Sequence, residues 1–267
     1  ARLFPLISGS GVAHALIEGI TIEGHKQLAP FYQFADGCRV AAIYLYQCQD
    51  VTIRRCLVRD FPGDGISFQW QSRGITVEDC VVENNNVFGV HPGSDSRDSL
   101  VRRNRIVGNG GPGLFVCVGV RQVRFENNQI TRNRGPGISV GCHDTDNVFL
   151  GNAITENGRG GVLFRDDRDD HGQPAGAHRN RFEKNVILDN LPSPESPNSS
   201  ATGLPQGVIA GVIFQGTHSG VVLRENVIGY SKPNPNSAAI VILGQAPELT
   251  LERNQFRHVQ HEVLRPK

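Results

Sequence analysis

The chain has 267 residues, a formal net charge of +1, 31 glycines and only one tryptophan and four tyrosines. A near-neutral chain offers no bulk electrostatic case for nucleic acid or an anionic membrane, and no run is long and apolar enough to span a bilayer. The cysteines, Cys38, Cys48, Cys56, Cys80, Cys117 and Cys142, form no CxxC pair and no zinc pattern, so they do not fix the redox compartment.

Residues 1–14 contain no basic segment leading an apolar core and no amphipathic capping helix, so no signal peptide is expected within them. ALIEGITIE at 15–23 is the first clear β-type segment. Residues 24–40 then read as an inserted loop. In the following AAIYLYQ run, period-2 alternation sends Ile43 and Leu45 inward and Tyr44 and Tyr46 outward. There the rings can stack on a sugar, or simply lie under the 24–40 loop.

From Asp64 to Arg165 the text repeats as GDGISFQW, FGVHPGSD, GPGLFVCV, GPGISVGC and RGGVLFRD. Gly65, Gly89, Gly113, Gly137 and Gly161 are 24 residues apart. Cys56, Cys80, Asn104, Asn128 and Asn152 keep the same step, as do Asn85, Asn109, Asn133 and Asn157. With insertions the first series continues to Asn185, Asn226 and Asn254. A fixed period in this range is the mark of a solenoid. The expected fold is all-β: a single-stranded right-handed parallel β-helix of about three short strands per coil, forming one domain over 1–267 with regular coils at 41–165. Asparagines at one corner of successive coils form a buried ladder. Cys56 and Cys80 fill the same ladder, expected as two thiols rather than a disulfide. Later insertions, at 166–178, 191–207 and 231–237, are rich in Pro, Ser, Asn and Gly and read as loops.

In each repeat the second and fourth residues after the glycine point outward. They are Ser67, His91, Phe115, Ser139 and Leu163, then Gln69, Gly93, Cys117, Gly141 and Arg165. Trp70, Ser94, Asp95, Cys142, His143, Asp144, Asp166 and Asp167 follow directly. Stacking brings these onto one face, with Gly93 and Gly141 as a floor between polar walls. Elimination or epimerisation of a uronic acid needs a neutralised carboxylate and a base for the C5 proton. Arg165 suits the first, alone or with Ca²⁺ held by Asp144, Asp166 and Asp167. His91 or His143 suits the second, with Tyr44 or Tyr46 as acid. Asp95 and Asp144, two coils or roughly 10 Å apart, suit inverting hydrolysis. Tyr44, Tyr46, Gln69, Trp70 and Phe115 are the candidate sugar contacts. Purely structural roles stand beside these: His91 as a surface residue before a proline, HDTDN at 143–147 as a side-chain-capped turn, and Arg165 paired with Asp166 or Asp167.

The segments DGISFQ, GVHPGSDS, GLFVC, GISVGCHDTDN and GVLFRD resemble the pectin-lyase-like superfamily of right-handed parallel β-helices over about 15–260. More narrowly, they are similar to bacterial right-handed β-helix repeat proteins. The resemblance implies polysaccharide lyases, glycoside hydrolases and uronan epimerases, usually exported, and also tailspikes and adhesins. FGVHPGSDS falls where mannuronan C5-epimerases carry a Tyr-Gly-Phe-Asp-Pro-His segment. Only Gly89 and Pro92 match, with His91 at the aspartate position and Gly93 at the histidine position, so that machinery is not carried over. The narrower group has histidine directly after the glycine of its GISxG segment; here Cys142 stands there and His143 follows.

Three functions remain open on these residues. One is a lyase or C5 epimerase of an acidic polysaccharide. A second is a glycoside hydrolase with paired aspartates. The third is a non-catalytic carbohydrate-binding or structural solenoid. Each takes a polysaccharide or oligosaccharide as partner, as a monomer or a homo-oligomer such as a trimer, in a secreted or periplasmic location.

Overall fold

The computed structural model describes residues 5–28, 40–191 and 203–266. Cys38, most of the 24–40 loop and most of the 191–207 loop lie outside the described residues.

Among the described residues nine coils each contribute one strand to each of three parallel sheets, a tenth strand extends the first sheet, and each strand pairs with its counterpart one coil on. The first sheet contains Ile7–Ser10, Ala41–Tyr46, Asp64–Gln69, Val90–Pro92, Leu114–Phe115, Ile138–Val140, Val162–Phe164, Ile209–Phe214, Ser237–Ile242 and His261–Leu264. The strands of the other two sheets are three residues long, so their middle residue points inward. Ile53, Val77, Val101, Phe125, Phe149 and Phe182 thereby form one buried column. Phe125, Phe149 and Phe182 stack face to face at 4.6 and 4.2 Å.

The corner between the second and third sheets needs one left-handed residue per coil. Arg55, Asp79, Arg103, Asn127, Lys184, Glu225 and Arg253 fill that place, with φ between 50° and 56°. The next residue is always the ladder residue. Asn104 shows the pattern: its backbone N–H and Nδ2 both donate to Asn128 Oδ1 at 3.0 Å, and Nδ2 also donates to Val77 O at 2.9 Å. The ladder survives the insertions, bonding Asn152 to Asn185 and Asn185 to Asn226. Cys56 and Cys80 are both free thiols, and Cys80 donates to Ile53 O as Asn104 does to Val77 O. Its hydrogen bond with Cys56, and then burial, push the Cys80 thiol up.

Outward positions of the second sheet carry Glu18, Arg54, Glu78, Arg102 and Glu126 on successive coils. Arg54 meets Glu18 at 3.0 Å and Arg102 meets Glu78 at 2.7 Å. At the adjoining corner Arg103 meets Asp79 at 2.8 Å.

Two strands fall outside the expected β-type text. Ile7–Ser10 pairs with Ala41–Tyr46, and His261–Leu264 pairs with Ser237–Ile242. Neither ISGS nor HEVL alternates cleanly; the backbone of the neighbouring coil supplies the pairing. The 166–178 insertion leaves the first sheet after Val162–Phe164 and contains a short antiparallel bridge between Arg168 and Pro174. Among the described residues, no helix is long and apolar enough to cross a membrane.

Candidate functional site

The outward face of the first sheet collects the chemistry. Ile43 and Leu45 are buried in the core, and Tyr44 and Tyr46 face out. With Pro5, Ser8, Gly9 and Ser10 the two tyrosines line a cavity of about 460 Å³. Trp70, 42% exposed, sits 5.8 Å from the Tyr46 ring. This aromatic group is far from Arg165. Passing from Tyr46 through Gln69, Gly93, Cys117 and Gly141 to Arg165 takes five coil steps, about 24 Å at the strand spacing. The tyrosines therefore cannot act as acid beside Arg165, and their place suits stacking.

His91 lies in the outward row between Ser67 and Phe115, yet its side chain is wholly buried. Its Nδ1 donates to Asp64 Oδ2 at 2.7 Å, and the Asp64 side chain is also at 0% exposure. Asp64 Oδ1 accepts the Phe88 N–H at 3.1 Å. The Phe88 and Phe115 rings stack at 4.1 Å and present their edges to the imidazole at 5.0 and 5.1 Å. His91 is thus not a surface residue. Asp64 was missed as a site residue. Its signal was the spacing: Asp64 and His91 are 27 residues apart, the same offset as the ladder asparagines of the regular coils and the carbonyls they bond.

The two glycines expected as a floor are roofed instead. A Cβ at Gly93 would sit 2.4 Å from Gln69 Oε1. Gln69 is buried, with Nε2 donating to Ser67 Oγ and His91 O and Oε1 accepting from Ser94 Oγ, so it is a brace rather than a sugar contact. Gly141 is covered by Arg165, which lies back along the face. Nε donates to Asp167 Oδ2 at 2.9 Å, Nη1 to Ser139 Oγ at 3.0 Å and Nη2 to Val116 O at 3.0 Å. The guanidinium caps the Phe115 ring, with Cζ 4.5 Å from its centroid. His91 and Arg165 consequently flank the same phenyl ring from two sides. One N–H on each terminal nitrogen of Arg165 is not used by these contacts.

The aspartates separate. Asp144 is turned into the corner, accepting Val120 N–H at 3.0 Å and Gly141 N–H at 2.9 Å, with Arg165 Nη2 at 3.8 Å. It is fully buried, whereas Asp95 is exposed beside Arg121, so the two cannot face each other across a glycosidic bond. Asp167 binds Arg165 and the Cys142 N–H, while Asp166 leans the other way, toward Gly216. Asp144, Asp166 and Asp167 therefore do not fit a Ca²⁺ site, and among the described residues no three His, Cys, Asp or Glu side chains converge to hold a metal. His143 is exposed at a left-handed turn residue (φ 61°), away from the Asp64–His91 pair.

Two buried groups near Arg165 titrate in opposite senses. Burial pushes the Asp144 carboxyl up to about 7, against the pull of Arg165. Burial pushes His218 down to about 4. His218 Nδ1 accepts the Ala177 N–H at 2.9 Å, so its proton sits on Nε2, which donates to Gln215 O. Between pH 4 and 6.5 the folded chain keeps the Asp144 proton that the unfolded chain loses, and this term falls as pH rises. Over the same window the unfolded chain holds a His218 proton that the folded chain lacks, and that term rises with pH. The two slopes oppose each other. In urea unfolding, His218→Gln should leave a stability that declines from pH 4 to 7, and Asp144→Asn one that climbs from pH 4 to 6.5. Flat profiles for both variants would contradict this assignment.

Residues 6–170 match the family model described as the right handed beta helix region. No curated protein matches. Among solved structures, the periplasmic alginate epimerase AlgG is similar at 17% identity and a TM-score of 0.64, over 82% of this chain and 48% of that one. The Azotobacter vinelandii mannuronan C-5 epimerase AlgE4 A-module is similar at 15% identity and 0.59, over 97% and 76%. The catalytic domain of a GH87 α-1,3-glucanase in complex with tetrasaccharides is similar at 11% identity and 0.54, over 81% and 43%. The chain spans about half the length of the AlgG chain it matches. At these identities the likeness is one of fold.

Proposed function

The chain belongs to the right-handed β-helix family, and from that premise we propose that it acts on an acidic, uronate-containing polysaccharide laid along the outward face of the first sheet. The chemistry is at C5, as β-elimination or epimerisation. The observation that carries this reading is Arg165, held flat by Asp167, Ser139 and Val116 O with its guanidinium over Phe115, next to the Asp64–His91 pair.

Both reactions begin by removing the C5 proton, which is acidified when the neighbouring carboxylate is neutralised. Arg165 supplies the neutralising charge through its two remaining N–H groups. His91, fixed in one tautomer by Asp64, is the proton acceptor. Phe115 lies half-buried between them, so a sugar reaches His91 only if that ring turns aside. Tyr44, Tyr46 and Trp70 stack a remote sugar of the same chain. Such a substrate places the protein outside the cytoplasm. Hydrolysis by the Asp95–Asp144 pair is set aside, because Asp144 is committed to backbone N–H groups.

A second reading, a binding solenoid without catalysis, is favoured by the complete burial of His91. The test is a panel of acidic and neutral polysaccharides followed by three readouts: ultraviolet absorbance of unsaturated uronyl ends, new reducing ends, and C5–H exchange by NMR in D₂O. The expected result is absorbance gain or exchange on a uronate polymer. Reducing ends alone would replace the proposal by hydrolysis. Binding with none of the three would establish the second reading.

A further inference from the structure

We propose that the cleft between the 166–174 hairpin and the two turns that follow it on the first-sheet face binds a single pyranose unit. This inference rests on the reading above and extends it to a second position on the same polymer.

The cleft has a volume of about 480 Å³ and is lined by Asp166, Arg168, Gln215, Thr217, Leu243 and Gln245, a size that suits a small ligand. Its floor is bare backbone. Gly216 and Gly244 stack one coil apart so closely that a Cβ on Gly244 would lie 1.9 Å from Gly216 O. A Cβ on Gly216 would lie 2.8 Å from Asp166 Oδ1. Side chains are therefore kept out of the middle of the cleft and ranged along its rim.

The floor is also rigid. Gln245 N–H donates to Gly216 O at 2.6 Å, and Gly244 N–H donates to Phe214 O. Buried, neutral His218 ties Gln215 O to Ala177 N–H from below. A floor fixed before the ligand arrives lowers the ordering cost of binding.

The rim chemistry selects a sugar. The Gln245 amide and the Thr217 hydroxyl supply donors and acceptors at once, which matches ring hydroxyls. Leu243 offers a half-buried apolar surface for the face of the ring. Asp166 and Arg168 cancel in charge, so nothing in the rim favours a free phosphate or other compact anion. Arg168 is steered by Nη1 donating to Gly172 O at 3.0 Å, within its own hairpin. Asp166 follows Arg165 directly and leans away from it, so a polymer whose carboxylate rests on Arg165 passes into this cleft with its next units.

The experiment titrates the full chain with oligouronates of increasing length and, separately, with neutral glucose oligomers. Affinity is read by calorimetry. Amide signals of Gly216 and Gly244, and the Arg165 Nε signal, are read by NMR. The chain is expected to gain roughly tenfold in affinity once the oligomer is long enough to span Arg165 and the cleft, the worth of two or so net hydrogen bonds. Thr217→Val with Gln245→Leu should abolish that gain and leave short oligomers bound as before. Urea midpoints equal to the parent's would show that the double variant is folded; if it unfolds, Gln245→Leu alone carries the comparison. Length-dependent affinity unchanged in the variant, with silent Gly216 and Gly244 signals, would overturn the cleft and leave the Arg165 reading intact. Shifts at Gly216 and Gly244 with a silent Arg165 would support the cleft and overturn that reading instead.

Discussion

Arg165→Ala is expected to lower the affinity for acidic oligosaccharides roughly 100-fold, the worth of one charge-assisted hydrogen-bonded pair, and to abolish any C5 chemistry. The side chain is only 14% exposed, so its charge acts where water is largely excluded. Arg165→Lys should restore little. Three N–H groups of one planar fork reach Asp167, Ser139 and Val116 O in different directions, and a lysine ammonium cannot span them. Removing the guanidinium also removes the charge that draws the Asp144 carboxyl down, so Asp144 should hold its proton to still higher pH. Arg121→Ala serves as the control, because Arg121 lies at the sheet corner near exposed Asp95. Calorimetric titration with an oligouronate makes the comparison. A loss smaller than about threefold at Arg165, with the control unchanged, would remove Arg165 from the site.

Asn128→Leu should lower stability by about 4 kcal/mol or more, enough to abolish folding in a marginally stable chain. Asn128 Oδ1 accepts from both the backbone N–H and Nδ2 of Asn104 at 3.0 Å. Its Nδ2 donates to Val101 O and to Asn152 Oδ1 at 2.9 Å. Leucine is of similar size but strips the buried Asn104 N–H and Val101 O of these side-chain partners. Asn128→Cys should be milder, since Cys80 already fills that ladder position and its Sγ bonds the equivalent carbonyl. Urea unfolding monitored by circular dichroism decides the matter, and a loss below about 1 kcal/mol for the leucine variant would contradict the ladder's energetic role.

The solenoid was legible in the sequence because its 24-residue period is exact over the middle coils and the ladder asparagines carry it through the insertions. Alternation likewise assigned the outward row of Tyr44, Ser67, His91 and Phe115 correctly. What alternation cannot give is where a long outward side chain leans. Gln69 and Arg165 each fold over a glycine of a neighbouring coil, and so Gly93 and Gly141 are covered rather than open. Asp144 sits at a turn, where the rule of alternate faces lapses, and its carboxylate went to two backbone N–H groups. The Asp64–His91 contact shares the 27-residue offset of the regular ladder, but Asp64 has no counterpart in the later repeats, where Phe88, Pro112 and Pro136 take its position.

The rows of alternating charge on the second sheet have an evolutionary consequence. Glu18, Arg54, Glu78, Arg102 and Glu126 change sign at every coil, and Arg55, Asp79 and Arg103 do the same at the corner beside them. Singly these exposed pairs are weak. Together they make neighbouring coils inequivalent although their backbones are nearly interchangeable. Removing or copying one coil sets like charges against each other in both rows, whereas removing or copying two preserves every pairing. Over these coils the unit that can be copied without setting like charges together is a pair, 48 residues of chain by twice the 24-residue step, and the constraint lapses where the row passes from Glu126 to Leu150.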